Sequence, residues 1–350
     1  MSSSFRLGID ENGLGARLGP LVVTSVLAEV DERGARALSR KLPKSMRPDL
    51  DDSKRVVAHG DVALGEAWAR ALLGIDAKSP AALLERLLID ARAELRAPCP
   101  RHVEAQCWSE SDEGFSAEPE MLERVLAHRA ALERRGIRFV AVRSRVVCTN
   151  RLNELRARGI NRFVADLHAM ESLVLAQRAL ARAELHAVCG KVGGIGAYSR
   201  FFGPLGGRLH ATLQEKPAKS AYHFPGIGEV SFVRDADGRD VLVMLASLVG
   251  KYVRELFMAR IARFYPRPAP ASAPSGYHDP VSAAFVEETA LARRTRRVPE
   301  SCFERARDDV DTEPKTKAAP ARKQRVAEEK GRTSATLELF TEGCSDARRA

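Results

Sequence analysis

Short alternating runs open the chain. "FRLGI" (5–9) and "PLVVTSVLAEV" (20–30) read as two strands joined by a glycine-rich turn. From about Asp52 apolar residues recur three and four apart, through "VALGEAWARALLGI" and "PAALLERLLIDARAEL", and a helical region is predicted there. Residues 98–117 read as a loop, "EPEMLERVLAHRAALERRG" as a helix, and "IRFVAVRSRVVC" as a strand or strand pair. A long helix over "NRFVADLHAMESLVLAQRALARA" precedes the strand "ELHAVC"; the strand "GEVSFVRDA" precedes a long amphipathic helix, "DVLVMLASLVGKYVRELFMARIARFY". The run "PRPAPASAP" is too rich in Pro and Ala for anything but a linker, and "DPVSAAFVEETALARR" is a short helix. From about Asp308 the polar, charged composition predicts disorder. The expected organisation is an α/β core over 1–266, a linker over 267–275, a small helical module over 276–307 and a tail over 308–350, without internal repeats.

The candidate chemistry begins where the first strand ends. Asp10 and Glu11 stand side by side, and Gly13 and Gly15 follow at once. Carboxylates at strand ends of an α/β sheet suit Mg²⁺, a hard cation that takes oxygen ligands and keeps several waters. Two such ions clamp the attacking and leaving oxygens of a phosphodiester during in-line displacement. An isolated Asp-Glu pair is equally an ordinary turn feature.

Bulk composition narrows the setting. At 350 residues the chain can form one large domain or two ordinary ones, and 45% hydrophobic with 29% charged residues is a globular balance. No run reaches the roughly 18–20 apolar residues that span a bilayer. The opening "MSSSFRLGID" lacks an apolar signal core, and six cysteines are too sparse for a disulfide framework. The cytoplasm is the expected location. A net charge of +10 favours a polyanionic partner, most simply nucleic acid, although arginines on solvated helix faces produce the same total.

Several stretches, taken in order, carry a family likeness. "GIDENGLGARLGPLVVTSV" followed by "DLDDSKR" resembles the opening of the type 2 ribonucleases H (bacterial ribonuclease HII). That family begins with a Gly-Ile-Asp-Glu strand end, a Gly-Arg-Gly turn, a Gly-Pro-Val-Val strand and an Asp-Ser-Lys helix start. "ASLVGKYVRELFM" resembles its Ala-Ser-Ile helix, "SGYHDPVSAAFVEE" its Gly-Tyr helix segment and "RRVPESCFE" its ending, together spanning roughly residues 6–305. The resemblance implies an RNase H-like α/β fold, a mixed sheet flanked by helices, with a small helical C-terminal module. It also implies Mg²⁺ or Mn²⁺ and, as partner, an RNA–DNA hybrid or ribonucleotide-containing DNA, with no membrane.

Of the four active-site acids the resemblance implies, the first two fall on Asp10 and Glu11. The last lies fourteen positions before the helix lysine; from Lys251 that count reaches Asp237, with Asp235 and Asp240 as rivals nearby. Asp10, Glu11 and Asp237 are thus the implied catalytic and metal-binding set. Lys54 and Lys251 would face the scissile phosphate or its neighbours. Ser53, as an exposed hydroxyl, and the backbone of Gly13 and Gly15 would bond the nucleic-acid backbone. Tyr277 fits the family tyrosine that stacks beside the junction sugar, and Arg254 accompanies Lys251 on its helix. Each has a plainer alternative: solvated lysines, a packing tyrosine, glycines serving only the turn.

Two departures stand out. Cys189-Gly190 occupies the place of the family's Asp-Gly, and no Asp or Glu lies between His186 and His210. Thiols are poor Mg²⁺ ligands. Leu14 stands where the Gly-Arg-Gly turn has its arginine. Glu215 swinging in, Lys191 offsetting phosphate charge, or a single ion held by three acids would each be a rescue; a non-catalytic hybrid-binding relative is the alternative. The "GKVGGIGAY" stretch is either a backbone contact or simple turn geometry. Cys99, His102 and Cys107 form a partial zinc-like set without a clear fourth ligand, and Cys148 and Cys302 read as small buried residues. In the tail, "SATLELF" resembles peptides that dock on the bacterial sliding clamp, with Leu337, Leu339 and Phe340 filling the pocket.

Overall fold

The computed structural model describes residues 3–306 except 59, 102–104, 111–112, 194 and 268–271. The clamp-like peptide at Leu337, Leu339 and Phe340, and His102 of the zinc-like set, lie outside the described residues. Seven strands form one sheet: β1 (Ser4–Asn12), β2 (Leu21–Val30), β3 (Ile137–Val147), β4 (Leu185–Gly190), β5 (Ala211–Glu215), β6 (Lys219–Phe224) and β7 (Gly228–Val233). Their order is β3-β2-β1-β4-β7-β6-β5. Strands β1, β2 and β3 pair antiparallel, β4 runs parallel to β1 and to β7, and β6 and β5 complete the far edge antiparallel.

Between them run α1 (Glu32–Leu38), α2 (Ser53–Val56), α3 (Ala63–Leu73), α4 (Pro80–Leu87), α5 (Arg92–Arg96), α6 (Pro119–Arg134), α7 (Thr149–Ala157), α8 (Arg162–Arg178) and α9 (Val241–Phe264). Helices α10 (Pro280–Glu288), α11 (Ala290–Thr295) and α12 (Glu300–Phe303) follow. This is the α/β class with a mixed sheet flanked by helices. No helix among the described residues is long and apolar enough to cross a membrane.

The pleat sorts side chains between two cores. Phe5, Leu7 and Ile9 of β1 and Leu185, Ala187 and Cys189 of β4 pack with Leu167, Met170 and Leu173 of α8. On the other face Val22, Val26 and Ala28 of β2 meet Trp68 of α3, Val125 of α6 and Leu245 and Leu248 of α9. Each fully buried aliphatic or aromatic side chain contributes about 1.5–3 kcal/mol. A third cluster joins Met258, Ile261 and Phe264 of α9 to Phe285 of α10 and Phe303 of α12.

The structure settles one alternative left open by the sequence and adds a hairpin the pattern does not mark. "IRFVAVRSRVVC" is one continuous strand, β3, because its whole length pairs with β2. The hairpin β5–β6 went unread because β5 has no buried face: Ala211, Thr212, Leu213 and Glu215 are exposed, so no alternation marks it. The helical region after Asp52 comprises α2, α3, α4 and α5 among the described residues.

Helix α9 begins directly on β1. A Cβ at Gly8 would lie 2.3 Å from the Leu242 backbone carbon and 2.4 Å from the Val243 nitrogen. Both are main-chain atoms and cannot step aside by changing rotamer. Gly8→Ala is therefore expected to destabilise the fold by roughly 1–3 kcal/mol through overpacking, measured by urea unfolding; an unchanged midpoint would refute that close approach.

Candidate active site

The two opening acids leave opposite faces of one strand. Asp10 turns toward α9, where Ser247 hydrogen-bonds it, and Glu11 turns toward α8, where Asp166 is its strongest charged neighbour. Their oxygens nevertheless meet over β4: Asp10 Oδ1 and Glu11 Oε2 lie 3.0 and 3.1 Å from the point a Gly190 Cβ would occupy. Glycine at 190 keeps that space open.

Asp237 sits in the turn between β7 and α9, where Lys54 Nζ reaches its Oδ2 at 3.3 Å. It adds to the negative field on both Asp10 and Glu11. The rivals are placed otherwise. Asp240 caps α9, accepting from the Leu242 and Val243 amides at 2.9 and 3.1 Å, and Asp235 is exposed in a left-handed turn. Lys54 is largely exposed; burial opposes its charge, but Asp237 outweighs it and holds the pKa above the ordinary lysine range.

Ser53 is not the exposed hydroxyl expected. It is 5% exposed and its Oγ lies 3.0 Å from Ser247 Oγ, because the first residue of α2 is tucked against α9. It stands one hydrogen bond behind Asp10 through Ser247. Lys251 donates to the Val57 carbonyl at 2.7 Å and thereby ties α9 to the chain just after α2. Burial lowers its pKa.

The glycine turn and the C-terminal module form the other half of the site. Gly13 has φ +84°, and a Cβ there would come within 2.4 Å of Arg254 Nε; Gly15 faces open space. Arg254 is buried, donates to the Ser275 carbonyl at 3.0 Å and stacks under the Tyr277 ring at 4.6 Å. Tyr277 itself is 41% exposed. Arginine also reaches the turn from an unforeseen direction. Arg305 donates from Nη1 to the Gly13 carbonyl at 2.6 Å and from Nε and Nη2 to the Gly19 carbonyl at 2.9 and 2.8 Å. A guanidinium is therefore present at the turn. Arg305 escaped the sequence reading because it lies about 290 positions away, at the edge of a polar tail.

A second unforeseen residue is Asp166 of α8. It is fully buried, and neither carboxylate oxygen has a hydrogen-bond partner. It neighbours Glu11, Asp10 and Cys189. An acid within the apolar run "FVADLHAM" is the only trace it leaves in the sequence, and a solvent-facing helix position looks the same. Glu215 does not approach the acids: it is exposed on β5 and accepts from the Tyr222 hydroxyl. Lys191 donates to the Lys216 carbonyl and to Ser220 Oγ at 3.0 and 3.1 Å. Cys99 and Cys107 line one cavity with Cys148 and Cys302.

The donors at the β1 end fit a hard divalent cation. They are all carboxylate oxygens, one acid has two orphaned buried oxygens, and a missing Cβ leaves room where two others meet. Among the described residues no three His, Cys, Asp or Glu side chains already converge as a finished ligand sphere. Without a cation the acids repel one another, and Lys54 occupies Asp237.

Comparison with solved structures returns several similar chains. The chain is similar to solved structures of a PCNA:RNase HII complex from Archaeoglobus fulgidus (18% identity, 88% of this chain and 99% of that one, TM-score 0.37). It is also similar to Bst-RNase HIII in complex with Mn²⁺ (14%, 86% and 66%, 0.40) and to ribonuclease H2 from Pyrococcus horikoshii OT3 (12%, 85% and 92%, 0.36). No protein-family model matches the chain, and a search of curated proteins returns no match. At these values the likenesses assign no role to any residue.

Burial holds Asp10, Glu11 and Asp166 well above the ordinary carboxylate range; next come Glu11 acting on Asp10, Asp166 on Glu11, and Asp10 on Asp166. A raised folded-state pKa stabilises below the unfolded value, about pH 4, and that contribution is lost as pH climbs through the folded value. In the absence of divalent metal, Asp166→Asn is expected to flatten the fall in unfolding free energy as pH rises above about 4, by up to about 1.4 kcal/mol per pH unit. Urea titrations in EDTA measure this; identical slopes would mean Asp166 is not held protonated by the fold.

Proposed function

We propose that this protein is an RNase H-like, metal-dependent nuclease that binds RNA–DNA hybrids or ribonucleotide-containing duplex DNA. In this reading it hydrolyses the phosphodiester 5′ of a ribonucleotide. The observation that carries the proposal is the meeting of Asp10 and Glu11 oxygens over Gly190, beside the Asp237–Lys54 pair.

Asp10, Glu11 and Asp237 would hold Mg²⁺ or Mn²⁺. The cation, when bound, supplies charge neutralisation at the scissile phosphate and a more acidic water for in-line attack. The chain's own residues do the rest. Ser247, backed by Ser53, orients Asp10. Lys54, released from Asp237, sets its mobile ammonium against a phosphate oxygen as a point charge. Gly15 lets the sugar–phosphate backbone approach closely. Tyr277, held from below by Arg254, offers its face to the sugar at the RNA–DNA junction, where the 2′-hydroxyl marks RNA. Arg305 and Arg254 together hold the glycine turn and the tyrosine in one assembly.

Cys189 favours a second reading, a hybrid-binding relative without nuclease activity. One assay separates the two: a labelled duplex with one embedded ribonucleotide, incubated with Mg²⁺ and with Mn²⁺. Wild-type cleavage is expected 5′ of the ribonucleotide, reduced at least about 100-fold in Asp10→Asn. An inert wild type that still binds the duplex would leave the second reading. Binding itself is expected to weaken steeply with salt, and Tyr277→Ala to reduce affinity about 10-fold with little change in that slope. Affinity independent of salt would argue against a nucleic-acid ligand altogether.

The clamp-like peptide at Leu337, Leu339 and Phe340 belongs to the same reading, as a tether that raises local concentration on replicating DNA.

A further inference from the structure

Two acids on α8 are buried, and they are treated very differently. Glu171 accepts the Gly203 amide at 3.0 Å and the Leu205 amide at 2.7 Å, an ordinary structural arrangement that ties a loop to the helix. Its pKa is raised to about 7 by burial, but its oxygens are used. Elsewhere Glu66 accepts the Ser116 and Ala117 amides, and Asp49 is held by Arg124. Asp166, five residues before Glu171, has nothing on either oxygen and no exposure. A buried polar group left without a partner costs about 1–3 kcal/mol, more if charged. Asp is also a poor residue for a helix interior. A carboxyl retained under both penalties needs an occupant that the protein alone does not contain.

The surroundings identify the occupant's chemistry. Cys189 closes β4 with its side chain in the core shared with α8, and pairs in register with Ile9, one residue before Asp10. Its foremost charged neighbours are Asp166 and then Glu11. A carboxylate attached at position 189 would project into this same group. Asp166 on the facing helix already supplies a carboxylate to that group.

We propose that Asp166 replaces the acid absent at Cys189 and is a ligand for the divalent cation held at the end of β1. The proposal rests on the metal-dependent reading above and names one further donor for it. Cys189 then fills the core and binds no metal, since soft sulfur suits a hard cation poorly. Asp166 enters from the α8 side, opposite Asp10, so the cation is bounded by both helices that flank β1.

The test is Mn²⁺ binding by the full chain, followed through the loss of the free-ion paramagnetic resonance signal, with no substrate present. Wild type, Asp10→Asn, Asp166→Asn, Cys189→Asp and the double variant Asp166→Asn/Cys189→Asp are compared. Asp166→Asn is expected to weaken Mn²⁺ binding at least about 10-fold, and the double variant to recover most of it. Metal-free Asp166→Asn is expected to melt no lower than wild type, because it loses an unpaired buried acid. If Asp166→Asn fails to fold, Cys189→Asp alone decides: a further carboxylate beside Asp166 should lower the metal-free melting temperature and enlarge the Mn²⁺-induced rise.

Unchanged Mn²⁺ affinity in Asp166→Asn, with affinity lost in Asp10→Asn, would overturn the role of Asp166 while leaving the metal site standing. A wild type that binds no Mn²⁺ would overturn both. No effect of Cys189→Asp on the Mn²⁺-induced shift would also count against the exchange.

Discussion

Strand β1 lies between β2 and β4 with a helix packed on each of its faces, and the site depends on that placement. Because side chains alternate across a sheet, the last two acids of the strand cannot point the same way. Asp10 is delivered to α9 and Glu11 to α8, and their oxygens come back together only beyond the pairing with Cys189, over a residue with no side chain. Moving the strand by one residue would exchange the two faces and put Ile9 where an acid is needed. The close seating of α9 on Gly8 holds the strand against such a slip.

The same strand end is braced at the level of the turn that follows it. Gly13 admits Arg254 against the backbone, Arg254 supports Tyr277, and Arg305 closes over the carbonyls of Gly13 and Gly19. Arg305 is held by neutral carbonyls, whereas Arg254 is also paired with the Glu255 carboxylate at 3.3 Å. The C-terminal helices, joined to α9 by Phe264, Phe285 and Phe303, set the position of this arginine pair. The glycine turn near the N-terminus is thereby held by arginines from the C-terminal part of the chain.

Two residues near the end of β1 look ordinary in the sequence. Arg305 bonds the carbonyls of Gly13 and Leu14 in the glycine turn. Asp166, on the helix facing β4, is the foremost charged neighbour of Cys189. Neither contact is visible locally: Arg305 lies in the short C-terminal module, and Asp166 is one acid in a helix whose polar side is unknown until it packs. Ser53 shows the reverse error, a hydroxyl at a helix start that reads as exposed and is instead enclosed by Ser247.

By itself the sequence determined the elements with a strong apolar period, the succession of strands and long helices, and the local chemistry of Asp10, Glu11 and the glycine turn. Those follow from contacts between near neighbours, which a pattern of side chains records. Tertiary structure alone decided which distant residues lie near these: Asp166 of α8 beside the first two acids and Arg305 at the glycine turn. It also decided that Ser53 and Arg254 are buried and that β5 is a strand. Burial and charge proximity are properties of packed surfaces, and no spacing along the chain encodes which surface of α8 will close on the end of β1.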